Sequence, residues 1–333
     1  MFKLRVGYVI SGIATGLILL FSFIATLPDG KLRIVFCDVG QGDAAYIRFP
    51  DGRDMLVDGG PNDKVLTCLG NHMPFWDRKI NLVVLTHPQK DHMQGLISVL
   101  DRYSVDYFVR SEVGNDTEGY TKLVEVVERK KIAQKFVTTG ERISVGSTGL
   151  TVLWPSTEQV AKAGDSARRP LAGLQGDALG SGVLGASIVG ELNDYSVVLW
   201  LRYGDFDAIL TGDADTRVEG EYMNLALDRA RLPAPERPPA THGEALRAGS
   251  DGGQVEVLKV PHHGSKTGMT EAFLDWLNPE LAVISVGKNS YGHPAEETIR
   301  QLRQKDSKIL RTDEEGDIEV ISDGKGWRLL PRL

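Results

Sequence analysis

The stretch Leu85–Gly95, LTHPQKDHMQG, decides how the chain is read. It places His87, Asp91 and His92 within six residues, directly after the apolar run Leu82-Val83-Val84-Leu85 and just ahead of Leu96-Ile97. A buried strand that breaks into a polar turn sets side chains on a rigid rim. The turn is either a solvated polar loop or a metal site. Adjacent Asp91 and His92 diverge on a tight turn and can embrace one ion, while His87 reaches a position close by. Imidazole and carboxylate donors suit Zn²⁺, Mn²⁺ or Fe²⁺, and the lack of thiolates speaks against a purely structural zinc site.

Working outward, three more polar clusters end apolar runs: Asp58-Gly59-Gly60 after MLV, Asp213 after AILTG, and His262-His263-Gly264 after VLKVP. Each alone is weak, because a strand-end aspartate is ordinarily a turn residue. Together, in one order, they predict loops that converge on a single site. A carboxylate from a distant strand, Asp213, would then bridge two ions. Two ions roughly 4 Å apart would activate a water and stabilise the oxygens of an in-line displacement at phosphorus.

The 333 residues suggest about two domains, or one large layered α/β body. At 41% hydrophobic and 25% charged, the chain has the make-up of a folded protein with a sizeable core. Its net charge of −7 counts against strong nonspecific affinity for nucleic acid. Two cysteines, Cys37 and Cys68, exclude a Cys-rich zinc module and a disulfide framework. One bridge is open to them, but Cys37 follows the apolar run Ile34-Val35-Phe36, and two unpaired core thiols are expected.

The N-terminus differs from the rest. Lys3 and Arg5 precede VGYVISGIATGLILLFSFIATL, residues 6–27, which carries no charge. The run is long enough to cross a bilayer, and no A-x-A cleavage site comes after it. The expectation is an uncleaved anchor over 1–30, ahead of a cleaved signal peptide or a soluble helix. The basic residues would stay cytoplasmic. The body, 31–333, would lie outside the cytoplasm, on a single-pass protein of the cell membrane, or secreted if the segment is cleaved.

From Lys31 the pattern is strand-like: KLRIVFCDVG, AAYIRFP and residues 53–57, separated by turns. The spacing predicts a strand at 81–86, then a helix through Leu96, Ile97, Val99 and Leu100. A strand at 107–110, a helix at 118–131 and a strand at 150–154 come next. Residues 156–191, rich in Gly, Ala and Ser, and 231–253, with four prolines, read as irregular insertions. Between them, 196–203 and 207–213 predict an antiparallel pair. Strands at 256–260, 281–286, 308–312 and 317–321 and helices at 270–277 and 295–305 finish the chain. This plan suits two packed sheets with helices outside.

The order LVDGG, THxxxDHxxG, LTGD, VPHHGS resembles the metallo-β-lactamase fold. FCDVGQGDAAYIRFP (36–50), VPHHGS and SVGKNSYGHP are similar to a narrower group, the C-terminal nuclease-like domain of ComEC-type DNA-uptake proteins. The resemblance runs from about Leu32 to Asp317, with gaps at the two irregular stretches. It implies an α/β fold, a four-layer αββα sandwich, here preceded by one N-terminal transmembrane helix. ComEC proteins also carry a multi-helix channel region. The expectation is a free-standing, membrane-tethered version of one domain, with DNA as substrate and a DNA-uptake channel protein as partner; its oligomeric state is left open.

By position, the resemblance implies that Asp91, His92 and His263 form a second metal site, that Asp213 bridges, and that His87 belongs to a first site. Asp58 would order the loop that carries the ligands. Asp38, Gln41 and Asp43 of DVGQGD would line the cleft, or form a glycine-shaped turn without chemistry. Asp91 and His293 are the catalytic candidates, His293 as general acid, added ligand or core histidine. The family pattern H-x-H-x-D-H is broken, because the middle histidine is Gln89. No histidine lies between 93 and 241, and Asn193 stands about where ComEC-type proteins have asparagine. Gln89 would ligate through its amide oxygen. One or two divalent ions are implied, and the oxygen-rich first site favours Mn²⁺ or Mg²⁺ over Zn²⁺. His262, Ser265 and Lys266 lie after the strand at 256–260, where Lys266 or Ser265 would hold a phosphate oxygen, or Ser265 simply caps a helix and Lys266 is solvated. Tyr291 sits beside His293 in the same motif.

Three functions stay in competition: a DNA phosphodiesterase, a metallohydrolase acting on a small ester, lactone or phosphodiester, and a metal-poor binding module. Gln89 is the feature that keeps the last of these open.

Overall fold

Alternation along Leu32–Phe36 (β1) sends Leu32, Ile34 and Phe36 to one apolar cluster and Val35 to another. That is the period of a strand buried on both faces. The same holds for Phe206–Leu210 (β10), where Phe206, Ala208 and Leu210 face one way and Ile209 the other. The computed structural model describes residues 6–24, 27–163, 191–229 and 255–330.

Two sheets result. The first has eight strands. Outward from β1 on one side come β2 (Ala45–Arg48), β3 (Asp54–Val57), β4 (Lys79–Leu85), β5 (Ser104–Arg110) and β6 (Ala133–Phe136). On the other side lie β14 (Ile318–Ser322) and β15 (Trp327–Leu329). The second sheet runs β13-β12-β11-β10-β9-β8-β7. Its members are β7 (Arg142–Val145), β8 (Thr148–Trp154), β9 (Val198–Tyr203), β11 (Val257–Lys259), β12 (Leu281–Ile284) and β13 (Lys308–Arg311) with β10.

One core cluster joins the facing sides of the sheets, including Phe36, Ile47, Val84, Leu199 and Leu210. A second packs the first sheet on α2 (Lys64–His72), α3 (Lys90–Arg102) and α4 (Glu118–Arg129). A third packs the second sheet on the helices Thr216–Arg229, Glu271–Leu277 and Glu296–Gln304. This is the four-layer αββα sandwich.

Two expectations are corrected and a third is left without support. Cys37 and Cys68 are joined in a disulfide rather than free. Helix α2 packs on the outer face of the first sheet and brings Cys68 into the cluster that holds Cys37. The stretch 156–191 opens with an ordered helix, α5 (Thr157–Lys162), capped by Ser156, whose hydroxyl accepts from the Gln159 amide; 164–190 and 230–254 lie outside the described residues. Over 1–30, Val6–Ile24 forms the uncharged helix α1, with Tyr8, Ile10, Ile13, Leu17, Ile18 and Leu19 exposed. Among the described residues, however, no helix is long and apolar enough to cross a membrane. The side chains described along α1 end at residue 19, so the expected transmembrane helix is not supported by them.

Strand directions gather the polar loops at one end of the molecule. β1 and β2 are antiparallel, as are β2 and β3, while β3 and β4 are parallel. β1, β3 and β4 therefore point the same way. The loops after them, starting at Cys37, Asp58 and Thr86, share one rim of the sandwich. The start of β1, to which α1 leads, lies at the opposite end.

Candidate metal centre

Asp58 organises the rim. It adopts a left-handed backbone (φ 59), which aspartate tolerates better than most residues. Its Oδ1 accepts from the Thr86 amide (2.8 Å) and its Oδ2 from the Thr86 hydroxyl (2.7 Å). The same Oδ2 lies 2.8 Å from His92 Nδ1. One buried carboxylate thus ties the end of β3 to the end of β4 and to the first turn of α3. The loop and the helix pack backbone to backbone: a Cβ at Gly95 would lie 2.0 Å from the Gly59 carbonyl oxygen, so no larger residue fits there.

His263 is set by a different device. His262 (φ 50), His263 (φ 54) and Gly264 (φ 78) are consecutive left-handed residues, a costly backbone of the kind found at functional sites. The His263 Nδ1–H donates to the Ser285 carbonyl (2.9 Å). A carbonyl only accepts, so a proton is on Nδ1 and Nε2 faces inward. A histidine oriented by a hydrogen bond through its other nitrogen is the usual arrangement around a metal.

These devices converge. Donor atoms of Asp91, His92, Asp213 and His263 all lie within 4.8 Å of one another. His92 Nε2 is 3.2 Å from Asp213 Oδ1, and His263 Nε2 is 3.3 Å from Asp213 Oδ2 and 3.4 Å from Asp91 Oδ2. Two donors each about 2.1 Å from a tetrahedral ion stand about 3.4 Å apart, so the spacing fits an ion. His92 Nε2, His263 Nε2 and Asp213 Oδ1 are buried without a hydrogen-bond partner, which is otherwise costly.

The electrostatics are those of a dense buried cluster. Burial opposes the charged form of His92, but the Asp213 and Asp58 carboxylates outweigh it and hold the ring's pKa well above the ordinary value. His263 is raised in the same way, against burial, by Asp213 and Asp43. Burial would raise Asp213, but His263 and His92 pull it well below the carboxylate range. For Asp58 burial wins, and its pKa is raised.

The other candidates distribute unevenly. His87 is buried, its ring 4.1 Å from His92, its Nε2 without a hydrogen-bond partner, and its pKa pushed down to about 3 by burial and then by His92. Gln89 meets Asn193: the Gln89 amide donates to Asn193 Oδ1 at 2.7 Å. Asn193 Nδ2 is in turn 3.3 Å from His262 Nε2. Asp43 reaches the cluster, 3.5 Å from His263 Nδ1. Asp38 does not: its carboxylate accepts from the Gly40 amide and pairs with Lys64 at 3.6 Å. Gln41 Oε1 accepts from the Gly287 amide (3.3 Å), joining two rim loops.

His293 stands just outside, its ring 5.5 Å from His262 and 6.5 Å from His263. Burial, then His262 and His263, push its pKa below the usual imidazole value. Tyr291 is exposed, with its ring 5.8 Å from that of His293. Ser265 is buried and bonds within its own loop, its Oγ accepting from the Thr267 amide at 3.3 Å, while Lys266 is exposed. Neither caps an α-helix; Thr270 caps the nearest one.

Sequence reasoning passed over Lys259. It is 4% exposed, its ammonium ion-paired with Asp43, bonded to the Gly212 carbonyl (2.8 Å) and 3.7 Å from Asp213 Oδ1. The available signal was a lone lysine inside the apolar strand EVLKV, immediately before the histidine pair.

Residues 37–288 match the metallo-beta-lactamase superfamily, and the chain belongs to it. Over 329 residues it is 26% identical to ComE operon protein 3 of Bacillus subtilis (strain 168), which covers 92% of this chain and 34% of that protein. It is 40% identical over 144 residues to competence protein ComA of Neisseria gonorrhoeae, covering 42% of this chain and 17% of that one. The chain thus spans about a third or less of the length of these two relatives. Among solved structures, Tm1679, a metal-dependent hydrolase of the beta-lactamase superfamily, aligns with a TM-score of 0.49 at 14% identity, over 86% of this chain and 98% of that one.

Proposed function

We propose that this metallo-beta-lactamase superfamily chain is a metal-dependent phosphodiesterase that acts on DNA outside the cytoplasmic membrane. The observation that carries the reading is the cluster of half-buried Asp91 with buried His92, Asp213 and His263, the last three presenting inward-facing, unpartnered donors. These residues would hold a divalent ion, which would supply an activated water and stabilise charge developing on phosphoryl oxygens. Likeness to ComE operon protein 3 and competence protein ComA favours DNA over other phosphodiesters. Two carboxylates among the four donors, Asp91 and Asp213, favour Mn²⁺ or Mg²⁺ over Zn²⁺.

The chain's own residues hold this machinery in place. Asp58 fixes the His92 ring, and the Ser285 carbonyl fixes the His263 tautomer. Lys259 holds Asp43 and stands beside Asp213. His293 stands at the rim beside His262 and His263, where burial and those two rings favour its neutral form. Exposed Lys266, next to the cluster in sequence, offers a charge to a phosphate oxygen.

The anchor belongs to the same reading. Lys3 and Arg5 before an uncharged run, and the exposed apolar side chains of α1, support a cytoplasmic N-terminus and a tethered body. The Cys37–Cys68 bridge supports an oxidising compartment. With α1 leading into the start of β1, the site would face away from the bilayer.

The test is cleavage by the full chain in detergent micelles. Linear single- and double-stranded DNA and a chromogenic aryl phosphodiester are incubated with Mn²⁺, Mg²⁺, Zn²⁺ or EDTA. DNA cleavage that requires the ion is expected. Turnover of the small diester alone would overturn the DNA assignment, and no turnover of any substrate would overturn the hydrolase reading.

A further inference from the structure

We infer that the chain holds one divalent ion, not two, and that the Gln89–Asn193 amide pair and the Lys259 ammonium occupy the places a second would need. The inference rests on the metal-centre reading of the proposed function.

Three groups of acidic, histidine or cysteine side chains bring donors within 4.8 Å of one another among the described residues. The first is Asp91, His92, Asp213 and His263, whose inward atoms are largely unpartnered. The second is Asp43, Asp58 and His92. Its cation is already present: Lys259 pairs with Asp43, and both Asp58 oxygens are engaged by Thr86 and His92. The third contains Cys37 and Cys68, whose sulfurs are bonded to each other. Of these three, only the first is open to an ion.

The remaining polar groups near Asp213 do not complete another site. His262 Nε2 lies 4.0 Å from Asp213 Oδ2 and faces the Asn193 amide. Asn193 Oδ1, that side chain's only ligating atom, accepts from Gln89. An amide nitrogen is not a ligand and the Asn193 oxygen is already engaged by Gln89, so the pair offers a second ion no more than neutral amide oxygens, beside His87 Nε2.

The test counts ions on the full chain by native mass spectrometry and Mn²⁺ titration, with Zn²⁺ as a parallel probe. One ion per wild-type chain is expected, together with the six-line EPR signal of isolated Mn²⁺. Gln89→Ala should leave the count at one and the affinity within about twofold. Gln89→His/Asn193→His should raise the Zn²⁺ count to two. Two tightly bound ions on the wild type, or a tenfold or larger loss of affinity in Gln89→Ala, would overturn the inference while leaving the metal centre standing. No bound ion at all would overturn the metal-centre reading and this inference with it.

Discussion

Lys259 and Asp43 form an ion pair in the floor of the site, both nearly excluded from solvent. Removing one partner of a buried pair strands the other and costs about 3–5 kcal/mol, whereas replacing both with apolar groups costs far less. Lys259→Met is therefore expected to destabilise the ion-free protein by about that amount, and Lys259→Met/Asp43→Leu to recover most of it. Urea denaturation measures both. A cost under about 1 kcal/mol for the single variant would show that the pair does not hold the floor together.

The Cys37–Cys68 bridge closes a loop of sequence separation 31 and staples β1 to α2. Loop-closure entropy assigns such a bridge roughly 3–4 kcal/mol. Cys37→Ala/Cys68→Ala should lower the denaturation midpoint accordingly, and reductant should shift the wild type but not the variant. A wild type indifferent to reductant in its unfolding midpoint would count against the bridge.

His72, at the end of α2, reaches two carboxylates of the first sheet's outer region. Its Nε2 is 3.2 Å from Asp317 and its Nδ1 3.2 Å from Glu319. Burial works against the charge, but the two carboxylates prevail and raise the pKa from 6.5 to about 9. A pKa raised on folding means stability that is fully present below the unfolded value and lost as pH climbs through the folded one. The contribution should be intact below about pH 6.5 and gone above about pH 9, amounting to about 1–2 kcal/mol after solvent screening. His72→Gln should flatten the stability profile across that window, and an unchanged slope between pH 6.5 and 9 would exclude the clamp.

Asp58 touches no substrate-facing surface but orients His92 and Thr86. Carboxylates that orient ligating histidines are worth 10–100-fold in metal affinity. Asp58→Asn should weaken Mn²⁺ binding by that factor in calorimetry while the far-ultraviolet circular dichroism stays native. Unchanged affinity would mean that His92 is held by packing alone.

Much of this was legible in the chain itself. Apolar alternation along β1 and the hairpin of β9 with β10 follow from period-2 spacing, and four strand-ending polar clusters marked the rim. The weaker elements were not. α2 is short, and β6 and β7 are edge strands whose half-exposed residues give little contrast. Lys259 and Asp43, or Cys37 and Cys68, sit in segments whose meeting is decided by sheet order, which local pattern does not carry. Gln89 and Asn193 stood out individually as departures from a histidine-rich pattern. That their side chains bond to each other depends on the loop Glu191–Ser196 folding over the β4 rim, where the Val197 amide donates to the Thr86 carbonyl at 2.9 Å.

The central claim is that the Asp91, His92, Asp213 and His263 cluster carries metal-dependent hydrolysis. The most direct measurement is Mn²⁺-dependent DNA cleavage by Asp213→Ala beside the wild type, with circular dichroism to verify the fold. A catalytic ion supplies several kcal/mol of charge stabilisation, so loss of its ligand Asp213 should slow cleavage about a thousand-fold or more. A folded Asp213→Ala protein that cleaves at near wild-type rates would contradict the account.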